Sequence, residues 1–371
     1  MGNWKNGELG DFVTLKRGFD LPQQKREDGQ VPIFSSSGIT GTHSTAMVKA
    51  PGVITGRYGT IGEVFYAAKD FWPLNTTLFV EDFHGNDAKF IYYFLKTLEW
   101  SKFTSASAVP GINRNTVHKE IVSLPDIETQ RRIASTLSMF DEKIKINTEI
   151  NDNLEQQAQS YFQELFVDNA DPEWAIGTIS DLGTVVGGST PSKAKPEYYT
   201  ESGIAWITPK DLSINKSKFV SHGENDITEL GLKNSSAAIM PEGTVLFSSR
   251  APIGYIAIAA GEVTTNQGFK SVVPKPEIGT PFVYFFLKNT LPVIEGMASG
   301  STFKEVSGST MKNVPAVIPD AETLAKFSDF CAPIFAQQRI LEEQNQSLAT
   351  LRDNLLPKLM SCEIDVSAVQ L

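Results

Sequence analysis

Cysteine and histidine are scarce, at two and four residues. The two cysteines, Cys331 and Cys362, argue against a disulfide framework and fit a reducing cytoplasm, the first lying on an expected helical seam. Neither stands at metal-ligand spacing from His43, His84, His118 or His222, so no zinc site is expected. No apolar run reaches the ~18 residues that a membrane-crossing helix needs. The opening MGNWKNGELGDF lacks the apolar core of a signal peptide.

Catalytic signatures are missing as well. There is no G-x-S-x-G elbow, and the scattered histidines form no evident triad. The Asx-Pro-Pro-aromatic tetrapeptide of DNA methyltransferases does not occur. Gly187-Gly188 and Gly59-x-x-Gly62 lack the spacing and the following helix that cradle a phosphate. Pro125-Asp126 with Asp141-Glu142-Lys143 has the outward form of a metal-dependent nuclease pattern. That chemistry gathers its carboxylates and lysine on a strand pair around a metal, whereas the second part here falls on an expected helix. Its repeat reads Phe335-Ala336-Gln337, with no acid or lysine. These absences predict a non-catalytic chain with no cofactor of its own.

What is present is a duplication. Trp4-x-x-Gly7-x-x-x-Asp11-x-x-Thr14 recurs from Trp174 as Gly177, Asp181 and Thr184, offset by 170 residues. Arg57 before Ile61-Gly62 recurs as Arg250 before Ile253-Gly254, and Asn75 matches Asn266. Phe90–Lys96 recurs as Phe282–Lys288, offset by 192, and Pro125-Asp126-x-Glu128-Thr129 as Pro319-Asp320-x-Glu322-Thr323, offset by 194. The growing offset places about 24 extra residues in the second copy, mainly before Arg250. Motifs repeated in one order mark a tandem repeat.

Each copy ends in a heptad seam: Ile133, Leu137, Phe140, Ile144, Asn147, Asn151, Leu154, Ala158, Tyr161 and Leu165, then Phe327, Cys331, Ile334, Gln338, Leu341, Asn345, Leu348, Arg352, Leu355 and Leu359. Steps of four and three are those of a helix packed on another helix. Asn151 and Asn345 share a phase, and a polar residue at such a position fixes register. The two helices are expected to pair antiparallel within the chain. Pro125 and Pro319 mark where they start, with acidic first turns. Pro333 predicts a break, with a matching one near Ser138-Met139, leaving long helices of about 26 residues, or ~40 Å.

The rest of each copy reads as strands and loops around one aromatic helix, Lys89–Trp100 and Pro281–Leu291, whose rings suit a core. The net charge of −10 lies almost wholly on the helical stretches. Residues 1–125 carry 13 Lys/Arg against 12 Asp/Glu, and residues 169–318 carry 12 against 14, so a local basic face remains open on each. Loop residues able to reach base edges or phosphates make up the candidate DNA-binding set. They are Lys16, Arg17, Gln23, Lys25, Arg26, Arg57, Asn75, Asn113 and Arg114 in the first copy. In the second they are Thr190, Ser192, Lys193, Lys195, Lys210, Arg250, Asn266, Gln267 and Lys304. Arg57 and Arg250, repeated before an Ile-Gly turn, read equally as DNA contacts or as structural bridges.

On these motifs the chain resembles the specificity (S) subunit of a Type I restriction–modification enzyme over essentially its whole length. The family's Glu-Gln at the helix start appears as Glu128-Thr129-Gln130, while the second copy has Leu324 in place of that glutamine. The resemblance implies an α+β fold with two target recognition domains, 1–125 and 169–318, each reading one half of a split duplex DNA target. The conserved helical regions 126–168 and 319–371 would form an antiparallel coiled coil relating the two by pseudo-twofold symmetry. It also implies two modification subunits that bind S-adenosylmethionine and methylate adenine, and two restriction subunits that use ATP and Mg2+ to translocate and cut. A cytoplasmic location is expected. The alternative is a protein-interaction scaffold with two heads on a helical spacer, which an adjacent adenine methyltransferase gene would disfavour.

Overall fold

Two compact units share the chain, Met1–Lys145 with Gln346–Leu371 and Ile146–Asn345. The structure, a computed structural model, describes residues 4–104, 110–300, 304–364 and 366. The fold is α+β, and the duplication read from the motifs is a duplication of topology.

In the first unit, strands Thr14–Arg17, Thr77–Asp82, Gly52–Gly56 and Val64–Ala67 form an antiparallel sheet in that spatial order. A second sheet pairs Val31–Ser35 antiparallel with Gly38–His43 and parallel with the short strand Trp72–Pro73. Lys5–Glu8 pairs with Ile121–Leu124 to close the unit. In the second unit, Gly183–Gly187, Lys270–Pro274, Val245–Ser249 and Ile253–Ala259 repeat the first sheet and gain a parallel edge strand, Phe219–Val220. Ile204–Ile207 pairs antiparallel with Asn225–Ile227 and parallel with Thr264–Thr265. Ala175–Thr178 with Pro315–Ile318 repeats the closing pair. The inserted residues supply the added strands.

The repeated motifs prove to be local geometry. Asp11 accepts the Glu8 N–H at 3.0 Å and Asp181 the Thr178 N–H at 2.8 Å, each carboxylate closing the start of a one-turn helix. A Cβ at Gly7 or Gly177 would lie 3.0 or 2.7 Å from that carboxylate, which explains the glycine four residues earlier. Gly62 and Gly254 take φ of +93° and +94°, backbone that a side chain disfavours, so the Ile-Gly pair is a turn requirement.

The aromatic helices span Ala88–Lys96 and Thr280–Gly296, and Phe90, Tyr93, Phe94, Phe282, Tyr284 and Phe285 are buried as expected. The second runs on past Pro292.

The long helices are Ile127–Gln163 and Ala321–Met360, of 37 and 40 residues. Asp126 and Asp320 cap them, accepting the N–H groups of Thr129 and Thr323 at 3.0 and 2.9 Å. Every expected seam residue is buried or half-buried. Within the first unit, Asp141 meets Arg352 at 2.6 Å, and Ile133 and Leu137 share a core with Leu356 and Leu359. Within the second, Asn147 meets Gln344, the Asn151 carbonyl meets Gln338, and Phe162 packs on Phe327. Numbers rise on one helix as they fall on the other, so the pairing is antiparallel. Asn151 and Asn345 do not bond to each other. Asn345 donates to the Thr148 hydroxyl at 3.3 Å, and the side-chain oxygens of Asn147, Asn151 and Asn345 are buried without a partner among the described residues.

The expected breaks at Pro333 and Ser138-Met139 are absent, since both helices run through those positions. Pro333 and Asp329, whose carbonyl a residue with an N–H at 333 would have met, both lie on the exposed face. Water can take the orphaned carbonyl there, which removes the main reason for a break. Unbroken helices of these lengths are ~55–60 Å long rather than ~40 Å.

Candidate nucleic-acid interface

In the second unit six of the nine candidates line one open cavity of about 480 Å³: Thr190, Lys193, Lys210, Arg250, Asn266 and Gln267. Topology brings them together. Arg250 directly follows the fully buried strand Val245–Ser249, and Asn266-Gln267 follow the short parallel strand Thr264–Thr265. Thr190 and Lys193 lie beyond strand Gly183–Gly187, and Lys210 lies in the first turn of helix Pro209–Ile214. Trp206, buried with its indole N–H on the Ser189 carbonyl at 3.0 Å, forms part of the wall.

Polar partners orient these side chains. Lys210 pairs with Glu224 at 2.6 Å, a carboxylate that raises the amine's pKa. Thr190 donates to the Gln267 amide oxygen. The Asn266 amide oxygen accepts the Gly268 N–H at 2.8 Å, which leaves the outward amide NH2 as the donor. Arg250 Nη1 lies 3.6 Å from Glu305 Oε2, and Lys270 reaches the other oxygen of the same carboxylate at 3.8 Å. Among the residues lining the cavity, Lys193, Lys210 and Arg250 stand against the single carboxylate Glu224. A positive patch survives on a chain of net charge −10.

Ser192, Lys195 and Lys304 are exposed but do not line the cavity; Lys195 pairs with Glu197 at 3.6 Å. Lys270, Glu305 and Trp206 escaped the sequence reading. Lys270 sits on a strand, Trp206 reads as core, and an acid is not sought when looking for DNA contacts.

The first unit gathers part of its set at the corresponding corner. Arg57 and Tyr58 both donate backbone N–H groups to Thr76, beside Asn75, and the Arg57 carbonyl accepts from Ile112, beside Asn113. The Arg57 guanidinium lies over the Tyr58 ring at 4.5 Å. Asn75 donates to Asp20, which also lies 3.9 Å from Arg17. Asn113 caps the short helix Arg114–His118, accepting the Asn115 N–H at 3.0 Å, and Arg114 is exposed. Lys16 pairs with Glu81 at 2.5 Å on the sheet. Gln23 and Lys25 stand on an exposed 3₁₀ turn, while Arg26 donates to the Thr40 carbonyl at 3.1 Å. Arg57 and Arg250 occupy the same place in the topology but hold different neighbours, an aromatic ring against a carboxylate.

Donors on loops at a sheet corner suit recognition of base edges and phosphates. A family model described as the type I restriction modification DNA specificity domain matches residues 1–156 and 172–351. The chain belongs to that family. Specificity subunits are the non-catalytic, DNA-recognising components of type I restriction–modification systems. A Mycoplasma pneumoniae protein named as a type I specificity subunit is 32% identical over 380 residues, covering 96% of each chain. The MjaIX specificity subunit of Methanocaldococcus jannaschii is 39% identical over 194 residues, 50% of this chain and 45% of that one. The HindI specificity subunit of Haemophilus influenzae is 24% identical over 347 residues, 72% of this chain and 75% of that one. The S subunit crystal structure from M. genitalium has the same fold, with a TM-score of 0.64 at 19% identity over 97% of this chain and 96% of that one. The specificity-subunit reading taken from the repeated motifs therefore stands. No helix of the described residues is long and apolar enough to cross a membrane.

Proposed function

We propose that each unit reads one half of a bipartite double-stranded DNA target separated by a nonspecific spacer. The chain then directs adenine-methylating and DNA-cutting partners to that target. The observation carrying this is the double occurrence of one topology in which the same corner holds Arg57 with Asn75 and Arg250 with Asn266, on loops that otherwise differ. One scaffold with two different sets of loop side chains suits two unlike half-sites. Two modification subunits binding S-adenosylmethionine and two restriction subunits using ATP and Mg2+ are the partners, and the candidate residues of both copies form the DNA-facing surface.

Methylome sequencing of a host carrying this chain with its modification subunit tests the reading. A split adenine-methylated motif is expected, and replacing residues 1–125 with those of another specificity subunit should alter one half of it only. If both halves change, or no motif appears, the reading fails. Arg57→Ala should weaken target binding by roughly 1–3 kcal/mol if the guanidinium meets a base. Unchanged DNA affinity with a lower melting temperature would make Arg57 a structural residue.

A further inference from the structure

We propose that Arg250 reads a guanine through the major groove, with Glu305 as the residue that positions it. The inference rests on the DNA-recognition reading and adds which base the second unit selects and by which atoms. Arg250 follows directly on a fully buried strand, so its backbone is fixed by the sheet. Its side chain remains 38% exposed and reaches Glu305 through one nitrogen at 3.6 Å, not through a two-pronged pair. Glu305 is also shared with Lys270, which further donates to the Gln267 and Phe269 carbonyls at 3.3 Å. One carboxylate between two cations orients the guanidinium without satisfying it. Among the described residues no other acceptor holds the guanidinium, which leaves its remaining N–H groups to meet an acceptor in the cavity.

The shape of those donors selects the acceptor. A guanidinium presents two parallel N–H groups, and guanine alone offers two adjacent acceptors, O6 and N7, on its major-groove edge. A phosphate also accepts such a fork. For a phosphate, however, a flexible point charge serves as well, and Lys193 stands on an exposed loop lining the same cavity. The Asn266 amide oxygen already accepts the Gly268 N–H, so the loop, not a base, uses one of its two lone pairs and sets the amide's orientation. Asn266 can add a single donor beside the guanine. Arg57, over an aromatic ring with no carboxylate partner among the described residues, lacks this buttress.

The test uses the full chain assembled with its modification subunit and a library of randomised duplex DNA, sequenced after selection by binding. The wild-type chain should enrich a split motif with a guanine in the half lost when the second unit is exchanged. Arg250→Ala should erase the preference at that one position by roughly tenfold or more, leaving the other positions intact. Arg250→Lys keeps the charge and stem, guarding against misfolding, and should bind duplex with a guanine preference weaker than wild type but stronger than Arg250→Ala, since a lysine lacks the rigid fork. Glu305→Gln should weaken that preference several-fold without shifting any other position. An even loss at every position in Arg250→Ala would mean a phosphate contact and overturn the proposal, as would an unchanged motif. Absence of any enriched motif with the wild-type chain would instead defeat the underlying DNA-recognition reading.

Discussion

The two repeats keep one topology yet tie it to the helices by different chemistry. In the first unit the ties are a tyrosine and an arginine on one carboxylate: Tyr93 donates to Asp141 at 2.5 Å, and Arg352 pairs with it at 2.6 Å. By the repeat, Tyr93 corresponds to Phe285, Asp141 to Phe335 and Arg352 to Ala158, so the second unit retains none of the three. Its carboxylate is Glu155, which meets Lys288 at 2.5 Å, Lys218 at 2.7 Å and Tyr284 at 3.2 Å. Lys218 lies in the region of the insertion, is buried, and also donates to Gln338 at 2.9 Å, above the Phe335 ring. The backbone N–H groups of Lys218 and Phe219 donate to Glu342. Apolar patterning is what the copies share. Polar ties depend on which few atoms meet, and in these they differ.

Burial acts to raise the Glu155 carboxyl, but Lys218 and Lys288 together hold it below its usual range. Lys218 faces that one carboxylate from a deeper site, and burial pulls its amine down to about 8. Burial likewise pushes the Cys331 thiol up to about 12, which suits an inert residue of the helical seam.

The largest expected difference between the units lies in how the helix pair is packed. Phe327 is fully buried, with ring centroids of Phe162, Phe166 and Phe285 at 5.8, 5.2 and 6.0 Å. The first unit uses Leu137, Leu356 and Leu359 instead. Phe327→Ala should cost roughly 3–5 kcal/mol and Leu356→Ala, at a slightly exposed aliphatic site, nearer 2 kcal/mol. Calorimetry that reversed this order would break the contrast.

The buried lysine comes next. Its folded pKa of about 8 lies below the ordinary 10.5, so between these values the unfolded chain binds the extra proton. Raising pH through that window therefore stabilises the second unit, by up to roughly 3 kcal/mol. The melting temperature of the wild-type chain should rise relative to Lys218→Met from pH 8 to pH 10.5. A difference independent of pH would show that Glu155 keeps Lys218 charged throughout.

The smallest effect concerns the first turns of the long helices. Gln130 donates to Asn86 at 2.7 Å and to the Pro125 carbonyl at 2.9 Å, and accepts the Asp87 N–H at 2.9 Å. The second copy buries Leu324 in its place, beside Ile278 in one apolar core. Gln130→Leu should cost roughly 1–3 kcal/mol by stranding those groups, and Leu324→Gln a similar amount by burying an amide without partners. Either substitution proving neutral in denaturant melts would mean that the polar and apolar helix starts are interchangeable.

The duplication, the helical seam, the capped helix starts and the strand runs were legible because each is set by residues near one another along the chain. Period, phase and a proline or glycine at a turn are local facts. Pro333 misled for the same reason: its cost depends on whether the carbonyl it orphans faces solvent, which the local pattern does not state. Six of the nine second-copy candidates were recognisable by residue type, but their meeting in one cavity was not. Glu305, some fifty residues from Arg250, carried no signal at all.

The sequence by itself determined that the chain is one α+β unit twice over with two helices that must bury a common seam, since periodic burial needs only the order of residues. Which atoms meet was decided by the tertiary structure alone. Arg250 on Glu305, Lys218 on Glu155 and Arg352 on Asp141 join residues 55, 63 and 211 positions apart. Charge pairing acts over a few ångströms, and only the folded backbone brings such positions that close.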